Sequence, residues 1–131
     1  MRRIAGVAAL LVLAVVAGAC NGEDPSATWR TADVLPGEAL SVDVELRNYA
    51  FSPRKFEIRQ GETVEFVLDS IDILHSFTVE ELDIDWHLNK NDDLTEKFTF
   101  DRPGEYRLIC IIPGHEVLGM RGTIVVAPPA P

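Results

Sequence analysis

From residue 40 onward the apolar side chains recur at every second position, and that period restricts the fold more than any single motif does. Leu40, Val42, Val44 and Leu46 alternate with Ser41, Asp43, Glu45 and Arg47, the pattern of a strand with one face buried and the other in water. Phe56 and Ile58 repeat it, and Gln60-Gly61 turns the chain before Val64, Phe66 and Leu68. His75, Phe77 and Val79 share one face of a further strand. Phe98 and Phe100 follow, and Asp101-Arg102-Pro103-Gly104 turns the chain into Tyr106, Leu108 and Cys110. Thr123 to Val126 closes the series. No long segment of this region carries a helical stripe. Residues 80–92 are polar and read either as a short helix or as an irregular crossover. The expected architecture is all-β, a Greek-key β-sandwich or barrel of about seven to eight strands. Parallel pairs are not expected, because the connections leave no room for crossover helices.

The 131 residues suffice for one ordinary domain, and the N-terminal part reads as an address rather than as part of it. Arg2 and Arg3 precede Ile4 to Ala19, all uncharged and small or aliphatic apart from the glycines. As a helix this run would rise roughly 24 Å at ~1.5 Å per residue, short of the ~30 Å hydrocarbon core. It therefore reads as a secretory leader. Ala17-Gly18-Ala19-Cys20, followed by the polar Asn21-Gly22-Glu23-Asp24-Pro25, resembles a bacterial lipobox, in which the cysteine becomes the lipidated mature N-terminus. That resemblance implies lipidation at Cys20 and a domain held at the cell membrane, in the periplasm or on the outer face, rather than across the bilayer. An ordinary leader that releases a soluble secreted protein is the alternative. The chain then divides into a leader (1–19), a flexible tether (20–39) containing Gly22, Pro25, Pro36 and Gly37, a domain (40–127) and a Pro-rich tail (128–131).

Twelve Lys+Arg against 21 Asp+Glu give a formal charge of −9, which excludes nucleic acid as a partner, since phosphate binding needs a basic stripe. Of the two cysteines, lipidation would consume Cys20 and leave Cys110 alone. A lone thiol in an oxidising compartment must be buried, paired between molecules or bound to metal. Here it opens Cys110-Ile111-Ile112-Pro113-Gly114-His115-Glu116-Val117-Leu118-Gly119-Met120, which spaces a thiolate, an imidazole and a thioether as C-x4-H-x4-M. Pro113-Gly114 turns the loop so that His115 can face Cys110, while His75 lies on a separate strand. Each residue alone has a plain explanation: His75 a hydrogen-bonded core histidine, Met120 a core filler, His115 an exposed loop residue. Together two His, one Cys and one Met form the donor set of a mononuclear blue-copper site.

With Tyr49-Ala50-Phe51-Ser52-Pro53, Gln60-Gly61-Glu62-Thr63-Val64, His75-Ser76-Phe77, Gly104-Glu105-Tyr106 and the Pro-Gly-His-Glu and Gly-Met-x-Gly pieces ending at Gly122, the chain resembles the cupredoxins from about Tyr49 to Val126. The resemblance implies one copper per chain cycling between Cu(I) and Cu(II), with His75, Cys110 and His115 as equatorial ligands and Met120 as the axial one. It also implies that Ser76 links the ligand segments and donates toward the sulfur. Ser70 stands where many relatives have Asn. Ile112, Pro113, Val117 and Leu118 would form an apolar docking patch around His115. The implied function is transfer of single electrons between redox proteins, with respiratory-chain components as candidate partners, by a monomer that is not itself an enzyme. An extracytoplasmic copper carrier or reservoir would use the same ligands and remains the alternative. Zinc suits the set poorly, because Met is a weak zinc ligand. A binuclear copper site would need a second thiolate where Gly114 stands. A copper enzyme would need a further histidine-rich site, and only His87 is left over. No role is expected for His87, and Glu80, Glu81, Asp83 and Asp85 read as solvated acids.

Overall fold

In Ser41–Arg47 the buried positions are Val42, Val44 and Leu46, and the intervening side chains reach toward water, as the alternation requires. The computed structural model describes residues 28–30 and 40–129. The leader, Cys20, most of the tether and the last two residues lie outside that range. The strands are β1 (Thr28–Arg30), β2 (Ser41–Arg47), β3 (Ala50–Ser52), β4 (Lys55–Arg59), β5 (Thr63–Ser70), β6 (His75–Val79), β7 (Ile84–Leu88), β8 (Asp93–Thr99), β9 (Gly104–Ile109) and β10 (Arg121–Ala127). A single 3-10 turn covers Glu80–Leu82, and there is no α-helix among the described residues.

The strands form two sheets, one ordered β1-β4-β10-β9-β6-β7 and the other β3-β2-β5-β8. The all-β sandwich is as expected, but its ten strands exceed the expected seven to eight. β1 and β3 have three residues each, too few to display a period. β7 lies in the polar stretch, where Ile84 and Leu88 are buried and Trp86 is half-buried between exposed Asp85 and His87. Residues 80–92 thus contain both a helical turn and a regular strand.

The expectation of no parallel pairs is overturned. β2 pairs parallel with β5, and β4 pairs parallel with both β1 and β10. The physical reason is that the crossover need not be a helix: between β2 and β5 the chain passes through β4, a strand of the opposite sheet. Thr28–Arg30 also carries regular structure within the stretch read as a flexible tether, in register with Lys55–Glu57.

Aromatic rings fill the space between the sheets. Phe66 of β5 lies 5.8 Å from Phe56 of β4 and 5.3 Å from Phe77 of β6, and Phe77 stacks on Trp86 at 5.6 Å. Phe51, Phe56, Phe66, Phe77 and Phe100 are all essentially inaccessible, so this cluster joins the two layers directly. Phe77 is two residues from His75, which ties the strand bearing that histidine to the centre of the core. At Gly122 a Cβ would stand 2.2 Å from the Arg54 carbonyl oxygen. That oxygen accepts the Thr123 N–H at 2.8 Å, so only glycine allows the close contact just beyond Met120.

Candidate metal centre

Three segments converge at one end of the sandwich. β6 lies beside β9 through an antiparallel bridge between Thr78 and Ile109, so the chain enters β6 at His75 close to where it leaves β9 at Cys110. β9 and β10 are antiparallel, with Arg121 opposite Ile109, and residues 110–120 are the loop between them. Inside that loop Cys110 N–H donates to the Met120 carbonyl at 3.1 Å, Met120 N–H to the His115 carbonyl at 3.0 Å, and His115 N–H to the Ile112 carbonyl at 3.0 Å. Gly114 adopts a φ of 87°, the left-handed region open to glycine, and the chain reverses there to bring His115 back.

The result is a compact donor cluster. One ligand atom from each of His75, Cys110 and His115 lies within 4.8 Å of the others, and all three residues are buried. Cys110 Sγ is 3.5 Å from His115 Nδ1, and the two imidazole rings sit 5.2 Å apart. Met120 is fully buried in the core, its backbone tied to both Cys110 and His115.

The hydrogen bonding around His75 fits the cluster to a metal ion. Its Nε2 is 2.7 Å from Asp72 Oδ1, and since an ionised carboxylate only accepts, Nε2 carries the proton. In the neutral ring Nδ1 then bears the lone pair. Among the described residues it is the one buried side-chain nitrogen or oxygen without a hydrogen-bond partner. Leaving such an atom unsatisfied costs about 1–3 kcal/mol, a penalty that a metal ion accepting the lone pair removes. Burial, and after it the nearby His75, hold the His115 imidazole below its ordinary pKa, against a weaker upward pull from Asp72. His115 is thus neutral and available as a donor at neutral pH. Burial pushes the Asp72 carboxyl up, but the N–H groups of Asn48 and Ile73 and the His75 ring outweigh it and hold it below its usual value.

Other residues orient these donors. Ser76 N–H donates to Cys110 Sγ at 3.3 Å, so the donation toward sulfur comes from the backbone of Ser76. Its hydroxyl oxygen accepts Ile111 N–H at 2.9 Å, tying β6 to the ligand loop. Ser76 and Thr78 hydroxyls are 3.0 Å apart, and Thr78 donates to Asp85 at 2.9 Å. Every residue of β6 is therefore buried, including the polar ones on the face away from the aromatic core. Tyr49 packs edge-on against the His115 ring with centroids 5.0 Å apart. Ser70 is buried and donates to the Ile73 carbonyl at 2.8 Å, so it shapes the turn before His75 while Asp72 makes the bond to the imidazole. Neither Tyr49 nor Asp72 was foreseen as a partner of the site. An acid three residues before a candidate ligand was the available signal for Asp72.

The surface around the centre is apolar. Among the described residues the large exposed hydrophobic side chains are Ile73, Leu74, Ile111, Val117 and Leu118, the last two 84% and 60% exposed. All five lie on the two segments that carry the donors. Of the expected docking residues Val117, Leu118 and Pro113 are exposed, whereas Ile112 is half-buried and packs on the core. Glu116, beside His115, contacts Arg107. His87 is exposed and pairs with Asp85 at 3.0 Å; it stands opposite Ser76 in the β6–β7 pairing and is not part of the donor cluster. Glu80, Glu81, Asp83 and Asp85 are exposed.

A two-sheet β-sandwich holding a buried His-Cys-His cluster at one end is a copper-binding architecture, and the single thiolate suits one copper ion. The cupredoxin-like domain model matches residues 7–126, and the chain belongs to that family. It is 38% identical over 81 residues to cytochrome c oxidase subunit 2 of Thermus thermophilus, an alignment covering 60% of this chain and 58% of that protein. Against a second subunit 2 sequence from the same species the alignment covers 47% of the relative, so the chain spans about half the length of the curated relatives it matches. Among solved structures it resembles dithionite-reduced auracyanin of Roseiflexus castenholzii, with a TM-score of 0.56 and 22% identity over 70% of this chain and all of that one. The metal-binding domain of the Cu(I)-exporting P-type ATPase CopA of Streptococcus pneumoniae gives a TM-score of 0.61 at 12% identity, covering 78% of this chain and 97% of that domain. These two likenesses are of fold.

Proposed function

We propose that the chain is a membrane-tethered mononuclear blue-copper protein that carries single electrons between redox partners outside the cytoplasm. The observation that carries this reading is the bare, buried Nδ1 of His75 in a cluster with Cys110 and His115. His75, Cys110 and His115 would hold the copper as strong ligands, with Met120 as a weaker fourth donor. Copper held there would supply a one-electron couple between Cu(I) and Cu(II).

The protein's own residues supply what a carrier needs. His75 and Cys110 are shut off from water, and the loop bearing Cys110, His115 and Met120 is braced by its own hydrogen bonds and by Ser76. Such a site keeps nearly the same shape in both oxidation states, so little reorganisation opposes electron exchange. Val117, Leu118, Pro113, Leu74 and Ile73 offer an apolar surface next to His115 for docking, while the overall charge of −9 steers a basic partner toward the protein. The protein is read as a monomeric electron carrier, with His75, Cys110 and His115 forming a single mononuclear centre. Likeness to a cytochrome c oxidase subunit supports respiratory-chain components as partners. The leader and Cys20 support a lipid anchor at the outer surface of the cell membrane.

Two measurements test this reading. Mixed in stopped flow with a basic one-electron donor such as a c-type cytochrome, the Cu(II) protein should be reduced rapidly, at a rate that falls as salt is added. Slow reduction combined with fast loss of Cu(I) to a chelator would instead mark a copper carrier. Separately, Cys20→Ser should move the protein from the membrane fraction to the soluble fraction; retention on the membrane would refute the anchor.

A further inference from the structure

On the reading that copper occupies the cluster, we infer that Asp72 is a positioning residue for His75: it fixes the imidazole with Nδ1 bare toward the ligand cluster and, as a fixed negative charge behind that ring, lowers the reduction potential. The carboxylate is itself held from two sides. Oδ1 receives His75 Nε2–H at 2.7 Å and the Ile73 N–H at 2.9 Å, while Oδ2 receives the Asn48 N–H at 2.8 Å from the turn between β2 and β3. With both oxygens anchored, it cannot swing away or rotate to serve as a ligand. It contacts the ring at Nε2, leaving Nδ1 for the cluster.

Two consequences follow from this geometry. The first is tautomeric. Without an acceptor at Nε2, a neutral imidazole is free to carry its proton on Nδ1, directed at Cys110 and His115, and part of the binding energy would go into shifting it. The second is electrostatic. A carboxylate hydrogen-bonded to a ligating imidazole makes that nitrogen a stronger donor and places negative charge near the metal. The stronger donor and the nearby charge favour the more highly charged Cu(II) over Cu(I), whereas the tautomeric effect aids both ions alike. His75 is fully buried and the side chain of Asp72 is only 27% exposed, so water screens this charge far less than it would on an open surface.

The alternative is that Asp72 merely closes the turn before β6, since two of its three hydrogen bonds go to backbone. The experiment separates the two roles. In the copper-free full chain, nitrogen-15 NMR of the His75 ring should show a protonated Nε2 and a bare Nδ1. A protonated Nδ1 there would overturn the proposal with no variant needed. In the copper-loaded chain at neutral pH, Asp72→Asn keeps the side chain's size and one acceptor oxygen but removes the charge. It should retain the thiolate charge-transfer band and shift the Cu(II)/Cu(I) binding ratio about 10-fold toward Cu(I), which is about 59 mV upward for a one-electron couple. Asp72→Ala should shift it at least as far and give a mixture of His75 tautomers without metal.

An unchanged potential in Asp72→Asn, with any loss confined to thermal stability, would reduce Asp72 to a turn residue. Should Asp72→Ala fail to fold, Asp72→Asn and the unmutated chain still decide the matter. A wild-type protein that binds copper without a thiolate band would overturn the copper reading instead, while the copper-free NMR result would still report on the Asp72–His75 pair.

Discussion

Cys110→Ser is expected to abolish the intense visible band that the proposed copper site gives and to leave the fold in place. The band arises from charge transfer between thiolate and Cu(II), and Cys110 is the only thiol among the described residues. Serine is close in size, and the space around Sγ already contains partners suited to a hydroxyl: the Ser76 N–H, which donates at 3.3 Å, and His115 Nδ1 at 3.5 Å. The loop's backbone bonds do not involve the sulfur. Loss of colour with an unchanged circular dichroism spectrum is therefore the expected pair of observations. A hydroxyl is also a much poorer ligand for Cu(I), so the reduced ion should dissociate readily. Met120→Leu is the informative contrast. It should keep the band, because the thiolate remains, and raise the reduction potential, because removing a weak axial donor disfavours Cu(II). A band that persists in Cys110→Ser would remove Cys110 from the site; a lowered potential in Met120→Leu would remove Met120 from the axial position.

The largest effect on stability is expected at Phe66. Its ring is fully buried and lies 5.8 Å from Phe56, 5.3 Å from Phe77, 5.8 Å from Trp86 and 6.2 Å from Phe100. Truncation to alanine removes the piece that joins β5 of one sheet to β4 and β6 of the other. Phe→Ala changes in such cores cost about 3–5 kcal/mol. For Phe66→Ala the upper part of that range is expected, because four aromatic neighbours cannot all move to fill one gap. The check is a urea or thermal unfolding midpoint for the copper-free protein, where metal binding does not mask the loss. Below that midpoint, copper should still give the charge-transfer band, since Phe66 lies on β5, outside the segments that carry the donors. A change below about 1 kcal/mol would mean that the two sheets are not held together through this cluster.

The sequence and the structure agree where chemistry or period is unambiguous. β2, with three buried aliphatic positions in a seven-residue strand, could be read directly. β7 has the same alternation, Ile84, Trp86 and Leu88 against Asp85 and His87, but the charged residues around it made 80–92 read as one polar stretch. The parallel pairs escaped because pairing depends on which sheet each strand joins, and no local pattern records that β4 crosses to the sheet opposite β2. At the site, His75, Cys110, His115 and Met120 stood out because soft and imidazole donors at such spacing are chemically unusual. Asp72 is an ordinary residue type for a turn, and its bond to His75 depends on a backbone path that also brings in Asn48. Tyr49 lies far from His115 in sequence and meets it only after folding. The apolar surface was foreseen only from the ligand loop; Ile73 and Leu74 join it from the turn before β6, and Ile112 turns inward.

The most direct test of a mononuclear copper centre is the full chain loaded with one Cu(II) per molecule, with visible absorption and electron paramagnetic resonance recorded on the same sample. An intense blue or green thiolate-to-copper band together with unusually small copper hyperfine splitting is the expected result, since both report a covalent bond to Cys110. A colourless protein with the large splitting of ordinary Cu(II) would contradict it, by showing that copper is held without the thiolate.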